Sequence, residues 1–237
     1  MEQEKIINVY RSSERTIAFS ALMRKVYLWM TMGLAMTALA AAYVGGNPAL
    51  VQSIFSGYTF YILLFAEIGL VWYMSARIMN MSFLSAGIIF AIYAILNGVT
   101  LSAIVFSYDP QVITTTFLTT AGTFGAMSLV GFFIKRDLSA MGRFLMMALV
   151  GLIIATIVNM FVASSALYWG ITYFGVLLFC GLTAYDTQKI KMMMMQYGDE
   201  VNESTMKFAL LGSLTLYLDF INLFLYLLRI FGAADRE

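Results

Sequence analysis

Three acidic side chains lie inside long apolar stretches of this 237-residue chain, and carboxylates are the groups there best able to do chemistry. They are Glu67, Asp186 and Asp219. A charged side chain at membrane depth costs free energy, and such residues usually face the interior of a helix bundle or a cavity. The alternative is that each acid caps a helix or is neutralised by one neighbour, an interpretation that fits Asp186 best because it lies near the end of its apolar stretch. All three are candidate functional residues.

Asp219 belongs to a line of polar side chains. The line consists of Thr215, Asp219, Asn222, Tyr226 and Arg229. Their spacing of i, i+4, i+7, i+11 and i+14 places them on one face of an α-helix. The other positions are mostly Leu, Ile and Phe, so we expect this helix to be central, with one polar seam. The alternative is that the hydroxyl and amide groups only hold helices together.

Asp186 and Asp219 are expected to lie at similar depth. Residues 187–197 contain no Gly or Pro, so the helix that carries Asp186 can continue about two turns beyond its apolar stretch. Gly198-Asp199-Glu200 then marks the tip of a helical hairpin. Two carboxylates in a low-dielectric seam cannot both ionise cheaply, so the pair is expected to share one proton. The sequence therefore predicts a pH sensor without histidine.

Two arginines are candidate partners of these acids. Arg77 follows Glu67 by ten residues, about 15 Å along a helix, and Arg229 ends the polar line. A guanidinium beside the aspartates would favour their ionised form. Carboxylate oxygens are also the ligands that Ca²⁺ prefers, so Asp186, Asp219 and Glu67 are candidate calcium ligands.

The composition excludes several classes of function. Hydrophobic residues make up 61% of the chain and charged residues 11%, against about 25% charged in soluble domains, which indicates an integral membrane protein. The chain has no His, which excludes Ser-His triads, His zinc sites and His-based pH switches. The lone Cys180 and the net charge of +1 predict no disulfide within the chain, no Cys metal cluster, no cofactor and no nucleic-acid partner.

Seven stretches are long and apolar enough to cross a bilayer, which takes about 20 residues each. They lie near residues 26–44, 53–74, 81–106, 112–134, 143–163, 167–187 and 208–232. The breaks between them are short, so we predict an all-α membrane protein with a tail at residues 1–22 and one seven-helix domain at residues 23–237. Whether the last stretch crosses fully or re-enters stays open.

The basic residues predict the orientation. With the N-terminus inside, twelve of the fourteen Lys and Arg residues fall on the inner side. Short loops rich in Lys and Arg stay in the cytoplasm. We therefore expect a cytoplasmic N-terminus.

Several sequence blocks resemble the Bax inhibitor-1, or transmembrane Bax inhibitor motif, family. They are Tyr185-Asp186-Thr187-Gln188-Lys189-Ile190-Lys191, residues 216–224, and Leu227-Leu228-Arg229. Residues 96–102 and 117–125 resemble the bacterial branch. The resemblance implies seven helices with the last one enclosed by the other six. It also implies a pH-dependent calcium leak in the bacterial plasma (inner) membrane, with the lipid bilayer, Ca²⁺ and protons as partners.

The resemblance also implies roles for single residues. Asp186 and Asp219 correspond to the paired aspartates of the pH sensor, and Glu67 and Arg229 to polar groups of a pore or gate. An arginine after the second helix corresponds to a latch. Arg77 is the candidate, one position away from where a gapless alignment places it.

Two other functions compete with the leak. Some bacterial members of the family are partners of a membrane-bound ATP-dependent protease, so the chain could be a regulator that transports nothing and acts through residues 1–22. Tyr185-Asp186 also resembles the first motif of intramembrane aspartyl proteases. The second motif of those enzymes is Gly-x-Gly-Asp, whereas this chain has Tyr217-Leu218-Asp219. We therefore expect that the protein is not an enzyme.

Overall fold

The computed structural model describes residues 2–197 and 200–234, and for residues 2–15 it describes the backbone only. The regular structure of these residues is entirely helical. It comprises α1 (Glu2–Gly45), α2 (Pro48–Phe55), α3 (Thr59–Arg77), a 3-10 turn (Ile78–Asn80), α4 (Phe83–Ser107), α5 (Pro110–Phe133), α6 (Ser139–Val162), α7 (Ser165–Tyr197) and α8 (Glu203–Ala234). Within this part of the chain, seven helices, all except α2, are long and apolar enough to span a membrane. The predicted fold class is confirmed.

The start of the predicted second stretch, residues 53–74, is wrong. Asn47 begins a separate short helix, because its side-chain Oδ1 accepts hydrogen bonds from the backbone N–H groups of Ala49 and Leu50 at 3.2 and 3.4 Å. Pro48 follows at the first helical position, where it needs no N–H partner. The short helix ends at Phe55, and the long helix begins only at Thr59.

Helix α1 begins much earlier than its apolar stretch. It runs without a break from Glu2 to Gly45 and passes through the predicted boundary between residues 22 and 23. The division into a tail and a membrane domain stays a prediction, and Met1 lies outside the described residues.

Helix α7 continues to Tyr197, as predicted from the lack of Gly and Pro after Asp186. Gly198 and Asp199 of the predicted hairpin tip lie outside the described residues. Helix α8 is the most buried of the spanning helices: 67% of its most apolar window is buried, against 11% to 39% in the others. This burial agrees with the central position predicted for the last helix.

The chain divides into two compact units. The first unit contains residues 1–107 and 190–217, and the second contains residues 108–189 and 218–237. Each unit therefore includes part of α7 and about half of α8.

In the first unit, α1 packs closely on α4. A Cβ placed on Gly98 of α4 would meet the backbone of Thr37 on α1, so the absence of a side chain allows the two backbones to approach. The indole of Trp29 packs edge-on against the rings of Phe83 and Phe90.

In the second unit, α5 packs on α7 in the same manner. A Cβ placed on Gly131 would overlap the backbone of Ala184. The ring of Phe220 on α8 packs against those of Phe117 and Phe124 on α5, each at a centroid distance of 5.5 Å.

Candidate functional site

The two aspartates predicted to pair lie near each other in the second unit. Asp186 on α7 is half-buried, and Asp219 on α8 is 5% exposed. The two carboxyl groups are close enough for the charge of Asp186 to act on Asp219. An ionised carboxylate can only accept hydrogen bonds, so a bond between two carboxyl groups requires a proton on one of them. A proton shared between Asp186 and Asp219 stays a prediction.

One oxygen of Asp219 has no hydrogen-bond partner among the described residues. Asp219 Oδ2 is fully buried and accepts no hydrogen bond from the described residues. A buried polar atom without a partner costs roughly 1 to 3 kcal/mol. Groups kept at such a cost are candidates for function rather than for stability.

Contacts on both sides of Asp186 fix its position. Ala184 lies against the bare backbone of Gly131. One residue beyond Asp186, the Oγ1 atom of Thr187 lies 3.0 Å from the Oγ atom of Ser128 on α5. Helix α5 therefore holds the segment of α7 that carries Asp186.

Lys189 is a charged neighbour that the sequence analysis did not single out. Its charge acts on Asp186 from one helical turn away, although the two residues form no ion pair among the described residues. The ammonium group lies over the ring of Tyr185, 5.9 Å from its centroid. The spacing of three residues from Asp186 on a helix was the available signal.

The polar line on α8 is present but does not form one network. Thr215, which lies in the first unit, and Asn222, which lies in the second, donate to their own helix, at the carbonyls of Leu211 (3.2 Å) and Leu218 (2.8 Å). The ring of Tyr226 stacks on that of Phe179 at 5.7 Å. Thr215 and Asn222 thus bond within α8 rather than to a neighbouring helix, and Tyr226 packs against an aromatic ring.

Arg229, in the second unit, forms no ion pair with Asp186 or Asp219 among the described residues. The guanidinium of Arg229 lies over two rings, 4.9 Å from the centroid of Tyr226 and 5.6 Å from that of Tyr168. The side chain of Arg77 is exposed, and it makes no ion pair in the described part of the chain. Its role as a latch stays a prediction.

Glu67 lies in the first unit and is 8% exposed. Its Oε2 atom accepts from Asn97 Nδ2 at 3.3 Å, and its Oε1 atom accepts from the hydroxyl of Thr100. Asn97 Oδ1 accepts in turn from the hydroxyl of Tyr217 at 3.1 Å, and this hydroxyl contacts Thr37 Oγ1 at 2.7 Å. Sequence reasoning missed these four partners, although three of them lie in the blocks that resemble the family.

No three acidic or Cys side chains of the described residues converge in a way that could hold a metal ion. Asp186, Asp219 and Glu67 were predicted from the sequence as calcium ligands. Their contact with a transported cation stays a prediction.

Comparison with known proteins identifies the family to which this chain belongs. The family described as "Inhibitor of apoptosis-promoting Bax1" matches residues 20–236. The chain belongs to this Bax inhibitor-1 family. The match covers nearly the whole chain, so the resemblance inferred from its sequence blocks is confirmed.

Relatives of this Bax inhibitor-1 family protein match along most of their length. The "Inner membrane protein YbhL" of Escherichia coli strain K12 is 48% identical over 211 residues, which cover 89% of this chain and 90% of the relative. A protein of Deinococcus radiodurans is 42% identical over 237 residues, covering 99% and 96%. A protein of Rickettsia prowazekii is 41% identical over 211 residues, covering 89% and 88%.

Proposed function

We propose that this Bax inhibitor-1 family protein is a pH-sensitive calcium leak of the bacterial inner membrane, with Asp186 and Asp219 as its pH sensor. The proximity of these two carboxyl groups, of which that of Asp219 is almost fully buried, is the observation that carries the proposal. The name of the Escherichia coli relative supports the location in the inner membrane.

The pair makes the contact between α7 and α8 depend on the number of bound protons. With one proton, the two carboxyl groups are joined by a hydrogen bond. Loss of that proton places two like charges side by side where little water can screen them, so the carboxylates repel. A change in pH therefore alters the force between the two helices at this point.

In the proposed mechanism, the conformation described here is the closed one. Asp219 is almost fully covered, and the ring of Phe220, the next residue, packs between Phe117 and Phe124. We assign this aromatic cluster as the barrier. Ca²⁺ would reach the carboxylates only after the second half of α8 moves away from α5, and it would meet the oxygen ligands that it prefers.

The other predicted residues enter the proposal with smaller roles. Glu67 and Arg229 remain polar groups for the ion path, and Arg77 remains the candidate latch for the acids. The excess of basic residues on one side supports a cytoplasmic N-terminus. The protein is proposed to act without a cofactor and without catalysis.

Reconstitution in vesicles tests the transport step. The purified full chain is placed in vesicles that contain a calcium indicator, and Ca²⁺ entry is measured across a series of pH values. Entry that varies with pH and exceeds that of protein-free vesicles is the expected result. A folded protein that passes no Ca²⁺ at any pH would refute the leak, and the regulator of a membrane-bound ATP-dependent protease would become the better description.

A further inference from the structure

A cavity of about 590 Å³ lies beside the first turns of α6, in the second unit. Its lining includes Phe144, Met146, Met147 and Tyr185, together with the charged side chain of Arg143. Phe144, Met146 and Met147 are 52% to 66% exposed. The cavity thus combines an apolar wall with one positive charge.

The location of the cavity favours lipid as its occupant. Only 11% of the most apolar window of α6 is buried, the lowest value among the spanning helices of the described residues. A helix with so little protein contact presents most of its surface to the acyl chains. A cavity beside its first turns therefore opens toward the membrane.

The charges around the cavity favour an anionic headgroup. Lys135 and Arg136 precede α6, and Lys189 lies over the ring of Tyr185, which lines the cavity. With Arg143 they make four exposed basic side chains that form no ion pair within the described residues. Basic pockets between membrane helices bind anionic headgroups in this manner.

The acid in the α5–α6 connection, Asp137, is already hydrogen-bonded. The carboxylate of Asp137 accepts from the N–H of Ser139 at 2.9 Å and from its hydroxyl at 2.7 Å. These bonds lower the pKa of Asp137 below its ordinary value. Asp137 therefore stays ionised, with one of its oxygens committed to the start of α6.

The cavity is also preformed. Gln188 on α7 accepts from the backbone N–H of Leu138 at 2.8 Å and donates to the carbonyl of Arg136 at 2.9 Å, which ties the α5–α6 connection to α7. The ring of Tyr185 rests where a Cβ on Gly142 would stand. The Tyr185 side of the cavity is thus packed in place before any ligand arrives, which reduces the entropic cost of binding.

We propose that this cavity binds one anionic phospholipid, with its phosphate near Arg143 and Lys189 and an acyl chain along Phe144, Met146 and Met147. The proposal does not depend on calcium transport. It needs only the cavity, its charges and a surrounding membrane.

Native mass spectrometry of the purified full chain tests the site. The probes are phosphatidylglycerol and phosphatidylcholine with the same acyl chains. We expect one retained phosphatidylglycerol, and about fivefold weaker retention in Arg143→Gln and in Lys189→Gln, because a basic residue near an anionic lipid contributes about 1 kcal/mol. Arg143→Lys should restore retention, and Met147→Trp should reduce it by filling the cavity without changing a charge.

Arg24→Gln is the matched control, since Arg24 is an exposed basic residue of the first unit. It should retain the lipid like the parent protein. Equal retention of the two lipids, or an equal loss in Arg24→Gln and Arg143→Gln, would overturn the proposal. Retention of glycerol 3-phosphate as strong as that of the lipid would also overturn it, because the site would then recognise a free phosphate ester.

Discussion

The hydroxyl of Tyr217 lies 2.7 Å from Thr37 Oγ1, although the two residues are 180 positions apart in the chain. The same hydroxyl donates to Asn97, which donates to Glu67. One continuous chain of hydrogen bonds therefore joins α1, α3, α4 and α8 inside the first unit. Buried polar networks of this kind are strong only when every member is satisfied.

Tyr217→Phe should lower the free energy of unfolding by about 1 to 3 kcal/mol, because it removes the donor to the buried Oδ1 atom of Asn97. The measurement is an unfolding titration in micelles. Tyr43→Phe is the control, since Tyr43 is 77% exposed. Equal stability of the two variants would mean that the buried hydroxyl makes no net contribution.

Replacements of Glu67 should separate its hydrogen bonds from its charge. Glu67→Ala leaves Asn97 Nδ2 and the hydroxyl of Thr100 without their acceptor, and should cost about 1 to 3 kcal/mol. Glu67→Gln keeps an acceptor oxygen and should cost clearly less. The midpoints of thermal unfolding of both variants test this order, and a reversed order would contradict the network described for the first unit.

Gly131→Ala should destabilise the protein by about 1 to 3 kcal/mol, because the added methyl group meets the backbone of Ala184 and forces α5 away from α7. The control is Gly122→Ala on the same helix, where a Cβ meets nothing within 4 Å. That variant should be as stable as the parent or slightly more stable, since Ala favours a helix. Unfolding midpoints that fall equally would argue against a close approach at residue 131.

Gln188→Leu should loosen the α5–α6 connection, because it removes the acceptor of the Leu138 N–H and the donor to Arg136. Trypsin should then cut after Lys135 or Arg136 faster than in the parent protein. Gln196→Leu, at an exposed position of the same helix, should leave the cleavage rate unchanged. The contact would be refuted if both variants were cut at the rate of the parent.

The spanning helices were predictable because long apolar stretches have few alternatives at membrane depth. Helix ends that are set by single side chains were harder to predict from the sequence. Asn47 caps a short helix that begins inside the break predicted between residues 44 and 53. The early start of α1 was missed because the polar residues before residue 16 give no apolar signal, although their backbone is helical.

For the site, sequence spacing was enough to bring Asp186 and Asp219 together, because the uninterrupted residues 187–197 fix the length of the hairpin arm. Spacing on α8 could not reveal which polar groups bond to each other. Thr215 and Asn222 donate to their own helix, a choice that depends on side-chain rotamers. The chain from Thr37 to Glu67 needs the packing of four helices, which no local pattern encodes.

The dependence of calcium flux on pH in vesicles tests the central claim, that the pair formed by Asp186 and Asp219 senses pH. Asp186→Asn and Asp219→Asn are compared with the parent protein and with Asp109→Asn, a control at the N-terminus of α5. Each variant of the pair should lose or displace the pH dependence of the flux, because a single carboxyl group cannot share a proton with an amide in the same way, while the control keeps the parent profile. Unchanged pH profiles in both pair variants, from folded protein that still passes Ca²⁺, would contradict the account.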